Sequence, residues 1–175
     1  IERSQLLLNA QIEKDPNKIA EIHTRLSDIN AYSAEGRASS ILNGLGFSKD
    51  DLIRPCSSFS GGWRMRVALA SVLFSNPELL LLDEPTNYLD FEGSAWLELY
   101  LQKFKNTALI ISHDRNLLNK SVTSILHLSQ KKLIFYNGNY DFFDNERRLQ
   151  LEQKISQKNK QDSQRAHLES FINRF

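Results

Sequence analysis

The sequence predicts an α/β fold, and two observations carry that prediction. Leu79–Leu82 and Ala108–Ile111 are short, unbroken apolar runs of strand length, the pattern of strands buried on both faces of a parallel sheet. Around them the apolar residues recur at spacings of three and four, which is the helical period. Strand, helix, strand in that order gives α/β layering.

From Ile1 to about Asn30 the pattern is two helices: Leu6, Leu7 and Ile12 lie on the first, and Ile19, Ile22, Leu26 and Ile29 on the second. Asp15-Pro16-Asn17 punctuates them, so they form an antiparallel hairpin or the end of a longer one. A third helix from Ala31 to about Leu45 is stopped by Gly44 and Gly46, and Lys49–Phe59 is a loop. Gly61 to about Ser75 is helical, with Pro77 just beyond its end. Trp96, Leu97 and Leu101 mark the helix between the two strands. After a further short helix, Ser124–Leu128 and Leu133–Tyr136 are strands joined by a turn around Gln130-Lys131. From Asp144 to Arg174 there is neither Pro nor Gly, and 156–165 holds no apolar residue. Leu168, Phe171, Ile172 and Phe175 then form an i, i+3, i+4, i+7 set. That is a helix crossing solvent and docking at its far end.

Composition excludes several classes. Lys plus Arg (22) against Asp plus Glu (21) leaves a net charge of +1, which rules out a uniformly basic nucleic-acid binder. The apolar runs are far too short to span a membrane. One cysteine, Cys56, forms no internal disulfide and fits a reducing compartment; it reads as a small apolar residue near a loop. The only methionine is Met65 and the chain stops within a helical pattern, so a piece of a longer protein is expected.

Four short elements carry chemistry. Ser60-Gly61-Gly62 opens a helix, where unpaired N–H groups and the helix dipole favour an anion; a plain turn and cap would look the same. Asp83 and Glu84 close the first apolar strand, at the carboxyl edge where α/β sheets bind ligands. Asp83 suits Mg²⁺, and Glu84 can polarise an attacking water. Asp90 either caps the next helix or serves the same site; spacing does not choose. His113 follows the second strand, where it could meet a γ-phosphate and hold the water.

Together these runs resemble ATP-binding cassettes. Phe59–Ala70 looks like their signature motif, Leu79–Asp90 like Walker B plus D-loop, and Ile111–Arg115 like the switch-histidine segment. Thr86-Asn87-Tyr88-Leu89-Asp90 is similar to the ABC-F form, where transporter cassettes usually carry Ser at the place of Asn87. The tail, Tyr136–Tyr140 and Ala166–Phe175, looks like the linker after the first ABC-F cassette. The resemblance implies the C-terminal part of a P-loop NTPase cassette, 31–140, with a helical arm, 1–30, and an inter-cassette linker helix, 141–175. It implies ATP and Mg²⁺, with Glu84 and His113 catalytic and Asp83 toward the metal. Ser60, Gly61, Gly62 and Asp90 form the nucleotide set, Asp90 through cross-talk between cassettes. A second cassette of the same polypeptide, the ribosome and tRNA are the implied partners, in the cytoplasm. RNA contact is implied for the linker, through Lys154, Lys158, Lys160 and Arg165. Trp63 departs from the Gln of many transporter cassettes, which puts a polar nucleotide contact there in doubt.

None of the seven glycines is followed by Lys, so the sequence holds no Gly-Lys-Ser/Thr phosphate loop. The chain alone is therefore expected neither to hydrolyse ATP nor to bind it tightly. Three other readings compete. A DNA-maintenance ATPase would normally flank these elements with long coiled coils, and a transporter engine is disfavoured by Asn87 and the tail helix. A non-catalytic binding module is disfavoured by intact Glu84 and His113.

Overall fold

The computed structural model describes residues 2–172, which fall into two compact units divided between Ile111 and Ser112. In the first unit, α1 (Glu2–Ile12) and α2 (Pro16–Asp28) form the expected hairpin. Asp15 caps α2 by accepting from the Asn17 N–H, and Pro16 occupies the first turn, where its missing N–H costs nothing. The antiparallel arrangement brings Arg25 to Glu2 at 2.9 Å, and Arg3 reaches both the Ala31 carbonyl and Glu35. Leu26 is fully buried.

The helix expected from Ala31 begins instead with a 3₁₀ turn, Ala31–Ser33, followed by α3 (Ala34–Gly44). Asn30, in the left-handed region at φ 51°, turns the chain there. The 49–59 loop contains two short 3₁₀ turns, and Cys56 is exposed within it rather than packed. Helix α4 (Gly61–Ser75) matches its expected bounds, ending at Asn76 in the left-handed conformation that commonly closes helices. Strands β1 (Leu79–Asp83) and β2 (Thr107–Ile111) pair in parallel, Leu79 opposite Thr107 and Asp83 opposite Ile111, with α5 (Phe91–Gln102) as the crossover. Ile41, Leu45, Leu73, Leu80, Leu97 and Leu101 make the core. At Gly44 a Cβ would collide with the Trp96 ring, so α3 and α5 approach there only because the residue is glycine.

One expectation fails. Leu80 and Leu82 are buried, but Leu79 and Leu81 are 55% and 62% exposed, and Leu109 and Ile111 of β2 are exposed as well. Successive strand residues point to opposite faces, and within this chain only one face of the pair is covered. An unbroken apolar run reports what a strand can bury, not what covers it here.

In the second unit, Asp114 caps α6 (Arg115–Ser121) by accepting from the Asn116 and Leu117 N–H groups. Strands β3 (Ser124–Ser129) and β4 (Lys132–Asn137) form an antiparallel hairpin. Gln130 and Lys131, at φ 50° and 63°, make its two-residue turn, the sense of turn that suits strand twist. Helix α7 (Tyr140–Ile172) starts one residue before Asp141, where the linker helix is expected to begin. The Asn119 amide, donating to Asp141, and the Asp141 N–H, donating back to Asn119, tie α6 to its first turn. His127 and Tyr136 each lie 5.0 Å, ring to ring, from Phe143. From residue 147 to 170 α7 is exposed on every side, Leu168 included. Phe175 and the side chains of Phe171 and Ile172, which complete the expected docking set, lie outside the described residues.

Candidate functional site

Strand β1 delivers Asp83 and Glu84 to one sheet edge. Asp83 is exposed and Glu84 half-buried. The Glu84 backbone sits at φ 46°, a left-handed conformation that costs a residue with a Cβ about 1–2 kcal/mol. It is held from both sides: the Glu84 N–H donates to the Ile111 carbonyl at 2.8 Å, extending the β1–β2 ladder by one bond, and the Glu84 carbonyl accepts from the Asn87 N–H at 3.2 Å. A groove of about 210 Å³ runs beside these acids, lined by Met65, Leu69 and Val72 of α4 and by Leu81 and Pro85.

Ser60-Gly61-Gly62 opens α4 on the same unit. The Ser60 side chain makes no capping hydrogen bond to its own helix. A Cβ at Gly61 would meet open space, and at Gly62 it would make an ordinary contact with the Tyr88 ring at 3.7 Å; neither glycine has positive φ. Folding therefore requires glycine at neither position, although each weakens a helix relative to alanine. The Gly62 contact also puts the 85–90 loop beside this turn.

Asp90 has two partners. Its Oδ1 accepts from the Gly93 N–H at 2.8 Å, capping α5, and its Oδ2 accepts from Arg66 Nη1 at 2.9 Å. The Gly93 N–H first, and Arg66 second, hold this carboxyl below the usual aspartate range. With the folded value depressed, the stabilisation is present at neutral pH and is lost as pH falls through the acidic side of that range. Arg66 goes further: Nε donates to the Tyr88 carbonyl at 2.6 Å and Nη1 to the Leu45 carbonyl at 3.0 Å. Its guanidinium lies 4.5 Å over the Trp63 ring. Trp63 packs edge-on against Phe47 at 4.8 Å, so this aromatic belongs to the scaffold behind the turn.

His113 belongs to the second unit and is exposed. So do Lys154, Lys158, Lys160 and Arg165, all exposed on α7; Arg165 also pairs with Glu169 at 2.9 Å. Thus Asp83, Glu84, Ser60, Gly61, Gly62 and Asp90 lie within the first unit, and His113 and the linker bases within the other.

Two family models, each described as ABC transporter, match residues 2–87 and 126–175. The probable ATP-binding protein YheS of Escherichia coli K12 is 46% identical over 169 residues, 97% of this chain and 26% of that protein. The ABC transporter F family member 3 of Arabidopsis thaliana is 47% identical over 158 residues, 90% of this chain and 22% of that protein. The human ATP-binding cassette sub-family F member 3 is 46% identical over 158 residues, again 90% and 22%. The chain belongs to the ABC-F family.

The chain spans about a quarter of the length of these ABC-F relatives. No helix among the described residues is long and apolar enough to cross a membrane. A magnesium ion, which the family implies, fits the donors present. Asp83 offers one exposed carboxylate, and no cluster of three or more His, Cys, Asp or Glu among the described residues forms a protein cage. Mg²⁺ is usually held by one or two carboxylates, with phosphate oxygens and water supplying the rest. Sequence reasoning missed Arg66 and the Glu84 backbone. Only the run Trp63-Arg64-Met65-Arg66, with an aromatic three residues before a base on one helix face, hinted at the first.

Proposed function

We propose that this chain supplies the catalytic carboxylates and signature turn of an ATP-hydrolysing ABC-F cassette that acts on the ribosome. The observation that carries the reading is Glu84, a carboxylate at a sheet's carboxyl edge held in a strained backbone conformation. Strain of this kind persists mainly where a side chain's direction matters. Glu84 takes the proton of the attacking water, and His113 serves as the cassette's switch histidine toward the γ-phosphate. Asp83 would hold Mg²⁺, which when bound would neutralise phosphate charge. Ser60, Gly61 and Gly62 receive the γ-phosphate of nucleotide held by a second cassette of the same polypeptide. Asp90 keeps the adjoining loop at that boundary. The phosphate loop lacking here is expected elsewhere in the gene product, and elements packed beside it would cover Leu79 and Leu81. Within this reading 1–30 is an arm, 31–140 the cassette portion and 141–175 the linker, whose bases meet RNA.

The glycines give a test that separates folding from function. Gly61→Ala in the full-length protein should stabilise the fold slightly, by about 0.5 kcal/mol, read as a small rise in the denaturation midpoint, while ATP turnover falls. Turnover equal to the parent's would remove Gly61 from the phosphate path. The ribosomal role is tested by sedimentation. Full-length protein should pellet with ribosomes in a non-hydrolysable ATP analogue and stay in the supernatant with ADP. Equal pelleting in the two nucleotides, or none in either, would overturn it.

A further inference from the structure

We infer that Arg66 is a positioning residue that locks the 85–90 loop to the start of α4, so that the Glu84 end of β1 and the Ser60–Gly62 turn keep one register. The inference rests on the ATPase reading above.

The loop's backbone bonds, Asn87 N–H to Glu84 and Leu89 N–H to Thr86, close turns within the loop. Arg66, four residues after Gly62, crosses from α4 to the loop. One guanidinium bonds the Tyr88 carbonyl, the Asp90 carboxylate and the Leu45 carbonyl, and its face rests on Trp63. The Arg66 side chain is only 10% exposed, against 53% for Asp90, so it is held by packing as well as by charge. A planar fork with five donors can satisfy three acceptors in fixed directions; a lysine carries the charge without that geometry. Gly46 makes room for it. That residue is at φ +95°, and a Cβ there would stand 2.7 Å from Arg66 Nη1. Rotation of the 85–90 loop against α4 must break the Tyr88 and Asp90 bonds together, so the two segments move as one body. None of these contacts touches the reacting atoms. Arg66 therefore acts through the loop, and its loss should lower turnover with little change in the affinity for ATP.

The test uses the full-length protein with Arg66→Lys, Asp90→Asn and the double variant. Asn at 90 keeps the acceptor that caps α5 and removes the charge facing Arg66. Arg66→Lys should cut kcat about 10-fold or more, the scale of a catalytic segment set slightly out of place. KM for ATP should stay within about twofold and the denaturation midpoint near the parent's. The double variant should be no slower than the slower single, because both changes break one shared bond. Parent kcat in Arg66→Lys, a loss of kcat that merely follows a lowered midpoint, or effects that multiply in the double variant would overturn the inference. Glu84→Gln run in parallel separates the two layers. If it is slow while Arg66→Lys is not, only this inference fails; if it keeps the parent rate, the ATPase reading falls and takes the inference with it.

Discussion

Glu84→Gln in the full-length protein should slow ATP hydrolysis by about 10²–10⁴-fold, the loss expected when a general base is removed. The change replaces one carboxylate oxygen with an amide nitrogen and alters neither volume nor the backbone bonds to Ile111 and Asn87. ATP binding should survive, and the ATP-bound protein should accumulate on ribosomes rather than cycle off them. The strained backbone makes Gln the cleaner probe. Glycine at 84 would relax the left-handed conformation and change the loop together with the base. Single-turnover hydrolysis at the parent rate in Glu84→Gln would show that the proton goes elsewhere.

The second large effect is expected in the linker. At about 100° per residue, Arg147, Lys154, Lys158 and Arg165 fall within roughly 40° of one another on α7. This is a basic stripe about 27 Å long at the helical rise. Lys160 lies about 120° away from Lys154 by the same geometry. The stripe's residues are exposed, and the Arg165–Glu169 pair, exposed on both sides, holds Arg165 back only weakly. Residues 145–175 carry seven bases and four acids, against +1 for the whole chain. Replacing the four stripe residues with Gln should weaken ribosome binding and flatten its log–log salt dependence by about 0.7–0.9 for each RNA phosphate that is no longer neutralised. ATPase activity without ribosomes should be nearly unchanged. Lys160→Gln should shift the slope less than any one stripe substitution. Ribosome affinity unaltered across a salt series would leave α7 a spacer and turn the search for RNA contacts to the hairpin of α1 and α2.

What could be read in the sequence was local. The bounds of α4 follow from Ser60-Gly61-Gly62 at one end and Pro77 beyond the other; the α1–α2 turn follows from Asp15-Pro16; the β3–β4 hairpin follows from two apolar runs close together. Each signal lies within a few residues of the structure it sets. Asp83 and Glu84 were legible because they end an apolar run. What was missed depends on pairs far apart in the chain. Arg66 meets Leu45 and Asp90 across 21 and 24 residues, and no periodicity announces a bond between single side chains. Asp90 was ambiguous between a helix cap and a site residue, because an aspartate before a helix looks the same in either role; the structure shows the cap and adds the Arg66 ion pair. The two-sided burial expected of β1 failed because alternation tells which residues share a face, not what lies over it.

Gly46 constrains the order in which this chain can change over generations. While Arg66 holds its three acceptors, any side chain at 46 meets both the guanidinium and an unfavourable φ. If Arg66 is replaced first, the steric objection disappears and only the backbone penalty remains. Substitution at 46 is thus conditional on substitution at 66, whereas glycine at 46 obstructs nothing that replaces Arg66. The pair behaves as a ratchet: a lineage that has filled position 46 cannot easily regain the arginine, because the space that admitted it has gone.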